Sequence, residues 1–177
     1  MRPTEQIRNV VLVGHQGSGK TSLAEALLFR AGVIARAGVI EKGSTVMDHD
    51  PDERERHQSI SLSLASFDWN DHRINLIDTP GYPDFRGEAL FGLAAADLAV
   101  FVIDGVAGVQ SQDLVLWRHA AQLGIPRIVF VNKLDRERSS FDRTLAQVRD
   151  AFGSHADPTE LPIGAESSFH GVTDLLT

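Results

Sequence analysis

Apolar positions along the chain come in two kinds. Three short continuous runs, Asn9-Val-Val-Leu-Val13, Leu98-Ala-Val-Phe-Val-Ile103 and Arg127-Ile-Val-Phe-Val131, have the length and β-branched content of buried strands, as in a parallel sheet covered on both sides. Residues 60–69 alternate in part, with Ile60, Leu62, Leu64 and then Phe67, as a half-buried strand does. Asn70-Asp71-His72 reads as a turn, so 60–69 and Arg73-Ile-Asn-Leu-Ile-Asp78 form a predicted hairpin. Helical spacing fills the gaps between strands. Good helix formers run from Lys20 to about residue 31. Phe85, Leu90 and Leu93 mark a helix at about 85–96. Leu116, Ala120 and Leu123 mark another at about 110–123, with Gly124 as its C′ residue. Phe141, Leu145, Val148 and Phe152 make one stripe of a helix at about 139–152.

Two stretches break these patterns. Gly32 to Ser59 has weak periodicity, and Asp48 to Arg56 within it is dense in both charge signs. A charge run is commonly a solvated face, but so long an unpatterned segment in a compact domain is commonly functional. Asp78-Thr-Pro-Gly-Tyr-Pro-Asp84 must be a loop, because two prolines and a glycine exclude helix and ladder alike. Strands alternating with helices predict an α/β fold. Its sheet is mostly parallel with helices on both faces, and the 60–78 hairpin supplies one antiparallel strand. Ligands bind such sheets at the carboxyl ends of the strands. The loops after Val13, Ile77-Asp78 and Val131 are therefore expected to converge on one edge.

Composition narrows the class without choosing the chemistry. A chain of 177 residues, 42% apolar and 23% charged, suits one globular domain over 1–177. With no cysteine there are no disulfides or thiolate metal sites, which fits a cytoplasmic protein. No apolar run approaches a membrane span, and Met-Arg-Pro-Thr-Glu-Gln lacks a signal peptide's apolar core. A net charge of −7 argues against a general nucleic-acid-binding surface. The expected protein is a monomer with neither a membrane nor a sequence-specific nucleic acid as partner.

The chemistry enters at Gly14-His-Gln-Gly-Ser-Gly-Lys-Thr21. Strand, Gly-x-x-x-x-Gly-Lys-Thr, helix is the context of a phosphate-binding P-loop, and the fold expected is that of a P-loop NTPase. Glycines let successive backbone N–H groups curl round a phosphate, and the helix N-terminus adds unpaired N–H groups and partial positive charge. Gly14, His15, Gln16, Gly17, Ser18, Gly19, Lys20, Thr21 and Ser22 are the nucleotide-binding candidates here. Lys20 can reach the β- and γ-phosphates, and the Thr21 hydroxyl can ligate Mg²⁺.

Two later loops refine this. Asp78 ends an apolar strand, a position that suits a Mg²⁺ ligand acting through water. Gly81 allows a backbone N–H to approach a γ-phosphate without a Cβ in the way. In Asn132-Lys-Leu-Asp135, the Asp135 carboxylate can accept both the N1–H and the N2–H₂ of guanine. A site built on such bonds rejects a base that leaves them unpaired. Lys133 would cover the base with its stem, and Asn132 would tie this loop to the P-loop.

Taken together, the three motifs resemble a translational GTPase, most closely the elongation factor G family. Arg54-Glu-Arg-His-Gln-Ser-Ile60 is similar to that family's switch I. Trp69-Asn-Asp-His-Arg-Ile-Asn-Leu-Ile-Asp-Thr-Pro-Gly81 is similar through a strand into switch II. Leu161-Pro-Ile-Gly-Ala-Glu166 to Gly171-Val-Thr-Asp-Leu175 resembles the start of that family's insert. Peptide release factor 3 and ribosomal protection proteins share much of the pattern. The resemblance implies a Mg²⁺-dependent domain that binds GTP or GDP and hydrolyses GTP, with the ribosome as partner through a longer parent chain. It also implies that switch I orders on the γ-phosphate.

Four departures qualify that implication. The family's switch II histidine, which orients the attacking water, is Tyr82. Tyrosine has an ordinary pKa near 10 and cannot become a cation, and losing a positioned polar catalyst typically costs ~10²–10⁴ in rate. Binding kept with slow hydrolysis is the expectation, and a GTP-binding switch with little turnover is the alternative. The switch I threonine that the family uses for Mg²⁺ is Ser59, which keeps the hydroxyl. The family's P-loop has Asp-His where this chain has Gly17-Ser18, and with no carboxylate there to help hold a monovalent cation a weaker K⁺ dependence is expected. Lastly, Thr177 falls inside the insert, and the Ser-Ala loop that backs the guanine in relatives is not among these residues. The chain thus reads as an N-terminal piece of a longer protein. His15, His49 and His57 lack a metal-ligand spacing and read as surface residues.

Overall fold

The computed structural model describes residues 2–47, 53 and 59–176. The run from Asp48 to Arg56 other than Glu53, His49 included, lies outside the described residues, as does His57, and with them most of the switch I resemblance. Five strands form one sheet: β1 (Ile7–Val13), β2 (Ser63–Trp69), β3 (His72–Asp78), β4 (Leu98–Asp104) and β5 (Arg127–Asn132), in the order β2-β3-β1-β4-β5. β1 pairs in parallel with β3 and β4, and β4 with β5, while β2 runs antiparallel to β3. Helices α1 (Lys20–Arg30), α2 (Arg86–Ala94), α3 (Ser111–Gln122) and α4 (Phe141–Phe152) occupy the connections.

The period of two explains the continuous apolar runs. Val11 and Val13 of β1 and Ala99 and Phe101 of β4 pack with Ala89 and Leu93 of α2 and Leu116 and Ala120 of α3. The intervening Leu12, Val100 and Val102 pack with Ala24 and Leu28 of α1 in a second cluster. Successive strand side chains point to opposite faces, so a central strand must be apolar at every position to serve both layers. The loops at the ends of β1 and β4 are thereby held from two sides.

The edges of the elements differ from the pattern for identifiable reasons. β2 starts at Ser63 rather than near 60. The N–H groups of Ile60 and Ser61 donate to the Glu53 carboxylate at 2.9 and 3.1 Å, and that of Leu62 to Glu88 at 3.1 Å. Carboxylates thus take donors that a longer ladder would have used. Asn70 and Asp71, at φ 44° and 63°, make the two-residue turn, which leaves His72 to β3. A 3₁₀ turn at Pro83–Phe85 delays α2 to Arg86.

α3 closes in a Schellman motif. Gly124 has φ 69°, its N–H reaches the Ala121 carbonyl at 3.1 Å, and the Ile125 N–H reaches that of Ala120 at 3.0 Å. Leu123 sits at the cap, 45% exposed, and is not part of the buried stripe. β5 also departs from its expected burial. It is the last strand of the sheet, and Ile128 and Phe130 are 51% and 40% exposed. They line a groove of ≈ 690 Å³ with Trp117 and Phe152. Beyond it, β6 (Glu160–Ile163) and β7 (Gly171–Asp174) form a separate antiparallel pair. Among the described residues no helix is long and apolar enough to cross a membrane.

Candidate functional site

The loop from Gly14 to Gly19 is shaped by its glycines. Gly17 and Gly19 have φ of 73° and 98°, left-handed values that favour glycine. A Cβ on Gly19 would meet the Asn132 side chain, and one on Gly14 would meet the Val102 carbonyl, so close approach adds a second requirement. Gly19 is the N-cap of α1, and its carbonyl accepts from the Leu23 N–H at 2.9 Å. The first N–H groups of α1 therefore have no partner within the helix.

Lys20 lies almost fully buried beside this loop, at 5% exposure. Its ammonium donates to the carbonyls of Gly14 and His15, each at 3.0 Å. Burial pushes its pKa below the ordinary lysine value, and the negative charges of Asp78 and Asp113 oppose that shift without cancelling it. Next to it, the Thr21 hydroxyl donates to Asp78 at 2.6 Å and stands 3.3 Å from the Ser59 hydroxyl. The three oxygen donors expected for Mg²⁺ are thus neighbours. Among the described residues no cluster of His, Cys, Asp or Glu could hold a metal by itself.

The loop after β3 folds onto the P-loop. The Thr79 hydroxyl donates to the Leu12 carbonyl at 2.8 Å, which anchors its start. A Cβ placed on Gly81 would stand 2.6 Å from the Lys20 Nζ and 2.7 Å from the Gln16 Cα, so only glycine fits here. The Tyr82 hydroxyl accepts a hydrogen bond from the Gln16 amide.

The loop after β5 is fastened from the other side. The Asn132 amide donates to the Ser18 carbonyl at 2.9 Å, and its oxygen accepts from the Lys133 N–H at 2.9 Å. Lys133, itself at φ 60°, reaches the Gly17 carbonyl at 2.5 Å and the Asp104 carboxylate at 2.8 Å. Burial pushes the Asp104 pKa up, but Lys133 and the N–H groups of Val106 and Ala107 outweigh it and hold the carboxyl below its ordinary value.

A cavity of ≈ 320 Å³ is lined by Gln16, Gly17, Gly19, Lys20, Thr21, Ser22, Ser59, Gly81, Tyr82 and Lys133. Gly14, His15 and Asp78 do not line it but accept hydrogen bonds from Lys20 or Thr21, which do, and Ser18 lies in the chain between the lining Gly17 and Gly19. Asp135 is exposed and lines the larger groove beside β5, which shares Lys133 with the smaller cavity. One site residue departs from its expected environment. His15 is 8% exposed, not a surface residue, because its ring lies between the P-loop and α3 and meets Asp113 at 2.9 Å.

Sequence reasoning passed over Asp104 and Asp113. Asp104 ends β4 as Asp78 ends β3, a positional signal that was available. Asp113 stands three residues after Gln110, whose N–H donates to it at 2.8 Å in a capping box. Its long-range partner His15, 98 residues away, leaves no trace in the local pattern.

Known proteins resemble the chain over nearly its whole length. The family described as "Elongation factor Tu GTP binding domain" matches residues 5–176. The chain is 43% identical over 171 residues to elongation factor G of Gluconobacter oxydans, covering 97% of this chain and 24% of that protein. It is 40% identical over 176 residues to the mitochondrial ribosome-releasing factor 2 of Yarrowia lipolytica, covering 98% and 22%. A crystal structure of a Thermus thermophilus protein superposes with a TM-score of 0.88 at 38% identity, covering 96% of this chain and 25% of that one. The chain therefore spans about a quarter of the length of the curated relatives it matches.

Proposed function

The chain belongs to the elongation factor Tu GTP-binding domain family, and on that premise we propose that it is the nucleotide-binding part of an elongation factor G-like ribosomal factor. It binds GTP and GDP with Mg²⁺ and hydrolyses GTP to GDP and phosphate. The observation that carries this reading is the mutual bonding of the three loops at one sheet edge: Thr21 to Asp78, Asn132 to Ser18 and Lys133 to Gly17. Each motif alone is common, but loops 57 to 116 residues apart meet here around one cavity.

The roles follow from the chemistry of the groups. Backbone N–H groups of the P-loop and of the first turn of α1 bind phosphate oxygens. Lys20 neutralises the β- and γ-phosphates, and its two carbonyl contacts keep it aimed along the loop. Thr21 and Ser59 would ligate Mg²⁺ directly and Asp78 through water; the ion, when bound, offsets phosphate charge. Asp135 selects guanine, Lys133 covers the base, and Asn132 fixes their loop. Gly81 presents its N–H to the γ-phosphate, and Tyr82 stands where the family has histidine.

Ribosome stimulation, a cytoplasmic location and a monomeric state belong to the same reading. The engagement of the Tyr82 hydroxyl by Gln16 favours slow turnover, so a GTP-bound switch is the second reading. Phosphate release from GTP and from ATP, with and without ribosomes and Mg²⁺, tests both. The expected result is Mg²⁺-dependent release from GTP only, faster with ribosomes and faster again in Tyr82→His. Equal release from ATP would overturn the assignment. A Tyr82→His variant no faster than wild type would remove the argument for slow turnover.

A further inference from the structure

The loop after β3 rests on the P-loop where a third phosphate would have to enter. Lys20 is the group that reaches the γ-phosphate, and the Gly81 N–H is the group that meets it from the opposite side. Yet a Cβ on Gly81 would stand within 2.6 Å of the Lys20 Nζ, 2.7 Å of the Gln16 Cα and 2.8 Å of the Gln16 N. The backbone of one loop is packed directly on the other. Immediately after Gly81, the Tyr82 hydroxyl accepts from the Gln16 amide, closing this contact with a hydrogen bond across 66 residues of sequence. Both side chains line the ≈ 320 Å³ cavity.

We propose that Gln16 is a specificity-determining residue for the number of phosphates: its bond to Tyr82 latches the Gly81 loop onto Lys20, a closed state that accepts a nucleoside diphosphate and must open for a triphosphate. This rests on the reading of the cavity as a guanine-nucleotide site. The glycines of the P-loop and the first turn of α1, which would hold the first two phosphates, do not depend on the latch. Separating Gly81 from Lys20 draws Tyr82 away from Gln16. The chain is anchored on either side of this segment, at Thr79 by its bond to Leu12 and in α2 by the bond of Glu88 to the Leu62 N–H and the buried Ala89 and Leu93. Movement is therefore concentrated in the few residues between. A ligand shifts an equilibrium only by its different affinity for the two states. The latch accordingly lowers triphosphate affinity and leaves the diphosphate state undisturbed.

The test compares fluorescent GDP with a non-hydrolysable fluorescent GTP analogue on the whole chain, its Gln16→Leu and Tyr82→Phe variants, and the double variant. The quantity read is the ratio of the two dissociation constants, in which a general loss of affinity cancels. Loss of one ordinary hydrogen bond corresponds to about five-fold in an equilibrium constant. Each single variant is expected to shift the ratio about five-fold toward the triphosphate. The double variant is expected to show the same shift rather than its square, because both substitutions remove one bond. An unchanged ratio in both single variants, with GDP still bound by wild type, overturns the latch alone. So do two shifts that multiply in the double variant. Failure of wild type to bind GDP at all overturns the guanine-nucleotide reading and the latch with it.

Discussion

The phosphate side and the base side of the site are built differently. On the phosphate side, recognition is assigned to backbone, and the backbone is over-determined. Gly14 and Gly19 admit no Cβ, Lys20 is buried with two carbonyl partners, and Thr21, Thr79 and Asn132 tie the P-loop region to the ends of β3 and β5. On the base side, the proposed recognition rests on the exposed Asp135, on a loop that leaves the outermost strand beside a groove with half-exposed apolar walls. Its rigidity comes from Asn132 and Lys133, which brace the loop against the P-loop and Asp104. A substitution on the phosphate side should therefore disturb binding of any nucleotide, whereas one at Asp135 should disturb only the choice of base.

The largest expected effect is that of Lys20→Met. Removing charged hydrogen bonds to phosphate should lower affinity for both GDP and GTP by at least ~10²-fold in equilibrium titration. Asp135→Ala comes next and sharpens the contrast. It should cost roughly 10²-fold in GTP affinity, leave weak ATP binding unaltered, and change stability by no more than ~0.5 kcal/mol, because the side chain is exposed. A variant that lost ATP and GTP binding in parallel would break the division into two sides. Asn132→Ala joins the sides. It removes the bonds to Ser18 and to the Lys133 N–H, and should lower stability by about 1–3 kcal/mol in chemical denaturation. It should also weaken guanine preference.

The smallest effect expected is on the acid limb of stability. Because the folded Asp104 carboxyl is held below its ordinary value, its contribution is complete above the unfolded carboxylate range, near pH 4. It is lost as pH falls through the lower folded value. Urea midpoints measured from pH 5 downward should fall less steeply in Asp104→Asn than in wild type. Parallel curves would remove Asp104 and Lys133 as a brace.

These two sides were unequally legible in the chain. The P-loop could be read because its requirements are local: glycines at fixed offsets, a preceding apolar strand and a following helix. The layered fold was legible for a similar reason, since Val11, Leu12 and Val13 serve both faces and so form a continuous apolar run. β5 carries the same kind of run but lies at the sheet edge, and periodicity cannot tell an edge strand from a central one. The polar braces were not legible because their partners are distant. The pairings of His15 with Asp113 and of Lys133 with Asp104 join residues 98 and 29 positions apart, and no local pattern records such a partnership. The late start of β2 has the same origin, since carboxylates of Glu53 and Glu88 compete for its backbone donors.

A site that holds phosphates by backbone and chooses guanine by Asp135 must separate GDP from ADP at that one carboxylate. Calorimetric titration of the whole chain with GDP and with ADP, in Mg²⁺ buffer and in parallel with Asp135→Ala, tests it most directly. The expected result is saturable GDP binding, at least ~10²-fold weaker ADP binding, and a variant in which the two nucleotides bind alike. Equal affinity of the wild-type chain for GDP and ADP would contradict it.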